Sequence, residues 1–358
     1  MSDSVNLKRY LSYYDKTIDF HFCRLDEIDL LETFIDDHWK HGHALAKSRD
    51  LMDWQHLDSE HKRYNFILAK ERSNGNLLAI QGFITTRQFD PEIAAPALCG
   101  AIWKSICEDR YPGVGIILQE LMIQRVPHQV LFGLGMSRIT EHMNRSKHHQ
   151  LGLLHQYYIL NPDRTCFHLI ERAPETRHNK VPAETEKIFA LMDETTFREK
   201  ADRLSSKIPT FKSKLYYINR YYQHPTYHYS ATAVYDEHCA LSAIFFWRKC
   251  CHQDACCIRI VDYIGDGSEI CGCQVLFEKL LRQENAEFID FFQVGLEQKN
   301  LLSAGFQDRN DSDIVLANYF EPFALQNVDL NYAWNGPMPP LLYKGDADMD
   351  RPNIIEVR

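Results

Sequence analysis

Hydrophobic and polar residues switch between two periods along the first half of the chain, predicting strands and helices in turn. Residues 18–23 read as a strand. Leu30, Leu31, Phe34 and Ile35 then form one stripe of an amphipathic helix over 25–39. Gly42 interrupts it, and 43–54 reads as a second short helix. The apolar runs 64–70 and 77–86 flank Ser73-Asn74-Gly75-Asn76, a hairpin signal. A strand over 97–107, a helix over 116–124, a strand over 128–134, a helix over 136–147 and a last strand around 155–160 follow.

The stretch 172–208 is charged and helical, and reads as a connector. Beyond it the theme returns: a helix at 215–222, a hairpin of 227–234 with 240–248, a long strand at 255–264, a helix at 270–283 and a strand at 287–292. Both halves end as strand, glycine, helix and glycine-apolar pair, at Leu151-Gly152-Leu153 and at Ala304-Gly305-Phe306. This order predicts a duplicated α/β fold, two mixed twisted sheets flanked by helices. The expected domains are 1–171, 209–325 after the connector, and an irregular tail over 326–358 laid on the surface.

Composition narrows the class. A 358-residue chain with 45% hydrophobic and 25% charged residues is long enough for two ordinary cores. A net charge of -9 argues against a general nucleic-acid binder. The first ten residues hold no apolar signal region and no run reaches membrane-spanning length, so a cytoplasmic protein is expected. Seven of the eleven cysteines fall between Cys239 and Cys273, in no metal-ligand spacing. No metal is expected, and reduced thiols serving as small core residues are the plain reading.

The stretch that carries chemistry is Arg110-Tyr111-Pro112-Gly113-Val114-Gly115-Ile116, between an apolar strand and a helix. A diphosphate is favoured at a helix N-terminus, where free N–H groups and the dipole meet negative charge. Gly113 and Gly115 let the backbone approach it, and Arg110 adds a charged donor. A tight strand-to-helix turn would use the same glycines. The third glycine of a dinucleotide fingerprint is missing, and no Gly-Lys-Ser/Thr follows.

On Arg110, Gly113 and Gly115, with the strand, the helix and Leu151-Gly152 in order, the chain resembles the GNAT superfamily of acyl-CoA N-acyltransferases. The likeness covers about 17–170 with the motif and 211–325 without it. There Asp262-Tyr263-Ile264-Gly265-Asp266-Gly267 stands where a second loop is expected, with two acids and no arginine, implying one CoA site per chain. More narrowly, His38-Trp39-Lys40-His41-Gly42-His43, Asp53-Trp54-Gln55, Ile218-Asn219-Arg220-Tyr221, the strand through Asp262 and Asn318-Tyr319-Phe320-Glu321-Pro322-Phe323 are similar to tandem-GNAT enzymes of bacterial surface-polysaccharide pathways. That resemblance implies an acetyl or short hydroxyacyl donor, acetyl-CoA or 3-hydroxybutanoyl-CoA. The implied acceptor is a nucleotide-linked amino sugar of the dTDP-3-amino-3,6-dideoxyhexose type. A homodimer is the remaining partner expectation.

A neutral amine must attack the thioester, which calls for a base. His43, beside Trp39 in the acceptor region, is one candidate, against a solvated loop histidine. Asp262 is the other, against a polar strand end. Asn219, Arg220 and Tyr221 offer contacts to a nucleotide phosphate, against a helix-surface ion pair. The tyrosines from Tyr216 to Tyr229 suit either a stacking wall or a buried helix face. An acid for the leaving thiolate is not assigned. Two other classes compete: a Fem-like aminoacyl transferase, which needs a basic groove and no CoA loop, and a non-catalytic protein that binds acyl-CoA or a sugar nucleotide.

Overall fold

The structure, a computed structural model, describes residues 2–172, 187–318 and 323–354. Contacts divide the chain into two compact units: residues 1–133 with 353–358, and residues 134–352. Within the expected connector, 173–186 lie outside the described residues, as do Tyr319, Phe320, Glu321 and Pro322 of the quoted motif.

The first unit starts with a helix that the periodicity does not announce, α1 (Ser2–Tyr14). β1 (Ile18–Arg24) and α2 (Ile28–Phe34) follow, and a π-turn at Ile35–Trp39 continues α2. The expected second helix is two short ones, α3 (Ala44–Lys47) and α4 (Arg49–His56), parted by Ser48, which caps α4. β2 (Leu57–Asp58), β3 (Arg63–Glu71), β4 (Leu77–Thr85) and β5 (Ala97–Ser105) form antiparallel neighbours, with β1 on β3. α5 (Val114–Arg125) then leads to β6 (Val130–Leu134), parallel to β5.

Alternation explains why these strands read as continuous apolar runs. Ile67 and Ala69 of β3 face α1 and α5, through Leu7, Tyr14, Ile117, Leu118 and Leu121. Phe66 and Leu68 face the other way, onto Leu31 and Phe34 of α2, Leu45 of α3 and Leu51 and Met52 of α4. Both faces are covered, so little polar alternation survives.

The second unit opens with α6 (Arg138–Ser146) and β7 (Gln150–Leu160). β7 starts five residues before the expected strand, and that places Leu151 and Gly152 inside the sheet rather than ahead of it. Gly152 lies opposite Tyr332, and a Cβ there would meet the tyrosine ring at 2.7 Å. Gly305 has a different reason, a φ of +84° after a helix. The two glycine-apolar pairs are therefore not equivalent positions.

β8 (Ile170–Glu171) is followed by β9 (Ile188–Leu191), which pairs with β10 (Ser230–Tyr235), so part of the expected helical connector is a strand. α7 (Glu194–Lys200) and α8 (Lys214–Tyr217) precede a second π-turn, at Ile218–Tyr222. β11 (Leu241–His252) and β12 (Ala255–Gly265) form the long hairpin, and α9 (Gln274–Gln283) returns to β13 (Phe288–Val294), parallel to β12. α10 (Gln298–Ser303), β14 (Gln307–Asp308) and β15 (Val315–Leu316) complete this stretch.

The tail is neither irregular nor superficial. β16 (Leu330–Asn335) pairs with residues 150–154 of β7, β17 (Leu342–Tyr343) pairs with β13, and Lys344, Asp346, Asp350 and Arg351 are buried. Its prolines stop helices, but strand pairing and buried ion pairs hold it. The cysteine reading also changes in part. Cys251 and Cys256 face each other across β11 and β12 and form a disulfide, while Cys250 and Cys257, one step along on the opposite face, are buried thiols. No helix among the described residues is long and apolar enough to cross a membrane.

His224 Nδ1 accepts the N–H groups of Thr226 and Tyr227, at 3.1 and 3.0 Å. Burial, then the nearby Arg220, pushes this imidazole down to about 2. The unfolded chain therefore takes up a proton near pH 6.5 that the folded one refuses. Stability is full above that pH and should fall below it, with a slope approaching about 1.4 kcal/mol per pH unit. Urea unfolding at pH 7.5, 6.5 and 5.5 should show this fall. His224→Asn, which keeps an acceptor for the turn, should flatten it.

Candidate active site

The first unit positions its chemistry through one strand. β5 stays paired with β4 out to Ser105, yet its parallel register with β6 covers only Ala97–Val130, Leu98–Leu131 and Cys99–Phe132. Beyond Cys99 the two strands part, which leaves the β6-facing edge of β5 open to an extended ligand. Just there β5 carries a bulge: Gln81 pairs with Trp103 and Phe83 with Gly100, so Ala101 and Ile102 oppose Gly82 alone. A bulge releases a backbone N–H from the ladder, and a fixed N–H is a donor for a polarised carbonyl oxygen.

The loop from β5 to α5 lies at the end of the same strand. Gly113 has φ +82° and ψ 5°, left-handed backbone that turns the chain into α5. Gly115 packs against β5: a Cβ would meet Trp103 Nε1 at 3.2 Å, and that nitrogen donates to the Gly115 carbonyl at 3.0 Å. Val114 is a core residue, and Ile116 is half exposed on the outer side of α5.

Two loop residues differ from the sequence expectation. Arg110 does not point free: its Nη2 lies 2.5 Å from Glu71 Oε1. Tyr111 is buried, and its hydroxyl donates to the same Glu71 oxygen at 2.8 Å. Tyr111, Asn74 and Arg110 together hold the Glu71 carboxyl below its ordinary range, with the tyrosine hydroxyl the largest cause. Tyr14 of α1 also donates to the Pro112 carbonyl, at 2.8 Å. Arg110 and Tyr111 thus anchor the loop to the end of β3 in this structure. Glu108, which the sequence reading passed over, accepts the N–H groups of Gly113 and Gly115 at 2.9 and 3.4 Å.

His43 is corrected as a base. It is buried at 2% exposure, it caps α3, and its Nδ1 accepts the Leu45 N–H at 3.2 Å. That acceptance places the ring proton on Nε2, so neither nitrogen offers a lone pair for a substrate. The backbone of His43 bridges to Ile354, and Ala44 N–H donates to the Asn353 carbonyl. Trp39 keeps its candidacy: it is 44% exposed at the end of the π-turn that lies against β5.

The second unit repeats the bulged strand with a different outcome. Phe246 pairs with Asp262 and Trp247 with Ile260, so Val261 is the extra residue, and β12 pairs with β13 over only three residues. Here the chain itself fills the opening. Gln293 and Val294 of β13 pair with Tyr343 and Leu342, and Gly345 sits where a Cβ would be 2.6 Å from the Val261 carbonyl oxygen.

Asp262, expected as a base or sugar ligand, is fully buried. It accepts from Lys212 Nζ at 2.7 Å, the Tyr221 hydroxyl at 2.7 Å and the Tyr263 N–H at 2.8 Å. Arg220 is corrected likewise, since it donates to the carbonyls of Gly345 and Ala347 and to Asp350. Tyr217 and Tyr221 stack on Phe246 at 5.1 and 4.9 Å, so the tyrosine run is a buried face. Asn219, which lies between them in the sequence, is half-buried.

The counterpart of the loop also moves. Gly272, with φ +76°, is the glycine that turns the chain into α9, as Gly113 does for α5. The degenerate motif is therefore Glu269-Ile270-Cys271-Gly272-Cys273-Gln274, with glutamate where Arg110 stands and glutamine in place of Gly115. Asp262 belongs to the bulge, not to the loop. Periodicity could not separate the two, because a bulge leaves no mark in the hydrophobic pattern.

No family model and no curated protein matches the sequence. Solved structures do. A GCN5-related N-acetyltransferase from Anabaena variabilis superposes with a TM-score of 0.52 at 10% identity, over 88% of this chain and 72% of that one. One from Kribbella flavida gives 0.52 at 9%, over 89% and 71%. A probable N-acyltransferase from Enterococcus faecalis gives 0.50 at 9%, over 88% and 72%. The mixed α/β fold of this chain is thus that of the GCN5-related N-acetyltransferases, carried across most of its length.

Lys212 bridges Asp262 and Asp346 with no solvent exposure. Lys212→Met would leave two carboxylates buried side by side and should cost about 3–5 kcal/mol of stability in chemical denaturation.

Proposed function

We propose that this chain is an acyl-CoA-dependent N-acyltransferase with one donor site, in its first unit. The observation that carries the reading is the join of three features on one strand. β5 is bulged at Ala101–Ile102, it leaves β6 after Cys99, and it ends in a glycine turn at the N-terminus of α5. The open strand edge suits an extended pantetheine arm, and the loop amides suit a diphosphate. An amide of Ala101 or Ile102 would polarise the thioester carbonyl. The amine nitrogen then bonds to the carbonyl carbon, the C–S bond breaks, the amine proton passes to a base and the thiolate gains a proton. The second unit, its opening filled by residues 342–346, supports the count of one site.

For the acceptor we infer a small primary amine reached past Trp39. The sequence resemblance narrows it to a nucleotide-linked amino sugar of the dTDP-3-amino-3,6-dideoxyhexose type, with acetyl-CoA or 3-hydroxybutanoyl-CoA as donor and a role in surface-polysaccharide synthesis. Burial of Arg220 and Tyr221 removes them from that reading, and Trp39 and Asn219 remain from the original set.

Thiol release from acetyl- and 3-hydroxybutanoyl-CoA, measured against a panel of amino-sugar nucleotides and other primary amines, tests this. Amine-dependent release is expected, and tight CoA binding with no release under any amine would rule out an enzyme. Gly113→Val forces a β-branched residue into left-handed backbone and should weaken CoA binding by about five- to 150-fold, on the order of 1–3 kcal/mol; unchanged affinity by calorimetry would remove the loop from the site. Trp39→Ala should raise the acceptor KM about three- to tenfold and leave CoA affinity unaltered.

A further inference from the structure

Glu108 occupies the two backbone donors that the acyl-CoA reading assigns to the diphosphate. Its Oε2 lies 2.9 Å from Gly113 N and its Oε1 3.4 Å from Gly115 N. We propose that Glu108 is an internal competitor for the donor site, a carboxylate that stands in for the diphosphate and leaves when acyl-CoA binds. This rests on the acyl-CoA reading above and adds to it what sets the affinity of the loop.

The charge distribution supports a displaceable occupant. α5 is twelve residues long and presents its dipole and first-turn N–H groups to whatever anion sits at Gly113. The arginine that would help a phosphate is meanwhile held 2.5 Å from Glu71. The loop is therefore satisfied from within: the amides by Glu108, the guanidinium by Glu71.

The two units differ in how firmly the chain fills its own opening. In the second unit Lys212, Asp262 and Asp346 are fully buried, and breaking that set is costly. Glu108 is an exposed side chain, and a solvent-screened carboxylate at a helix end is held only weakly. A diphosphate, doubly charged and tethered by the rest of CoA, wins that exchange. Glu108 and the diphosphate cannot share the site, because like charges at contact repel.

The test is CoA affinity by calorimetry for the full chain and for Glu108→Ala, Glu108→Gln and Asp109→Asn. Asp109→Asn removes one neighbouring negative charge without touching the loop amides. Glu108→Ala should bind CoA about fivefold more tightly than the wild type, Glu108→Gln should fall between them, and Asp109→Asn should stay within about twofold. The unliganded Glu108→Ala chain should also melt lower, and CoA should restore it more fully than it raises the wild type. Wild-type binding with Glu108→Ala no tighter than Asp109→Asn would overturn the competitor role alone. No CoA binding by the wild type or any variant would overturn the acyl-CoA reading, and the competitor with it.

Discussion

The structure depends on one constraint: two parallel strands that part after three residues of pairing. β5 leaves β6 at Cys99, and β12 leaves β13 at Ile260. Peptide groups on a strand that has lost its neighbour must find other partners, because an unpaired buried N–H or C=O costs as much as a lost hydrogen bond. Each departing strand also carries a bulge at that point, which twists it further and frees another amide. An opening made this way is a demand for a partner, and the two units meet it differently.

In the second unit the partner is another segment of the same chain. Residues 342–346 enter as a short strand on β13 and a turn over Val261, held by the buried Lys212, Asp262 and Asp346 and by Arg220 with Asp350. Gly345 is required because its Cα lies too close to Tyr221 and the Val261 carbonyl for any side chain. The stretch Glu269-Ile270-Cys271-Gly272-Cys273-Gln274 has the same left-handed turn, at Gly272, without the arginine and the second glycine. The glycine that shapes the chain is present there, with glutamate and glutamine at the positions of Arg110 and Gly115.

The first unit keeps the turn, the second glycine and the arginine, and its loop is braced from several sides. Tyr14 reaches Pro112, Tyr111 and Arg110 reach Glu71, and Trp103 reaches Gly115. These contacts fix the loop amides in space. Preorganised donors of this kind are what a diphosphate or a polarised carbonyl needs. Two π-turns in corresponding places, at Ile35–Trp39 and Ile218–Tyr222, strengthen the parallel between the halves. One is exposed at Trp39, and the other is buried beneath the tail.

The sequence by itself determined the fold class, most helices and strands of both halves, and the loop at Arg110–Tyr111–Pro112–Gly113, because period and glycine placement are local properties. Tertiary structure decided what the polar residues do. His43, Asp262, Arg220 and Tyr221 have the chemistry of site residues, yet each is buried and committed to partners inside the chain. Two of those partners, Asp346 and Asp350, come from a proline-interrupted tail that looks structureless in sequence. The bulges and the parting of parallel strands were also hidden, since they arise from register between segments far apart in the chain. Composition names the groups that could react; only packing says which remain free to do so.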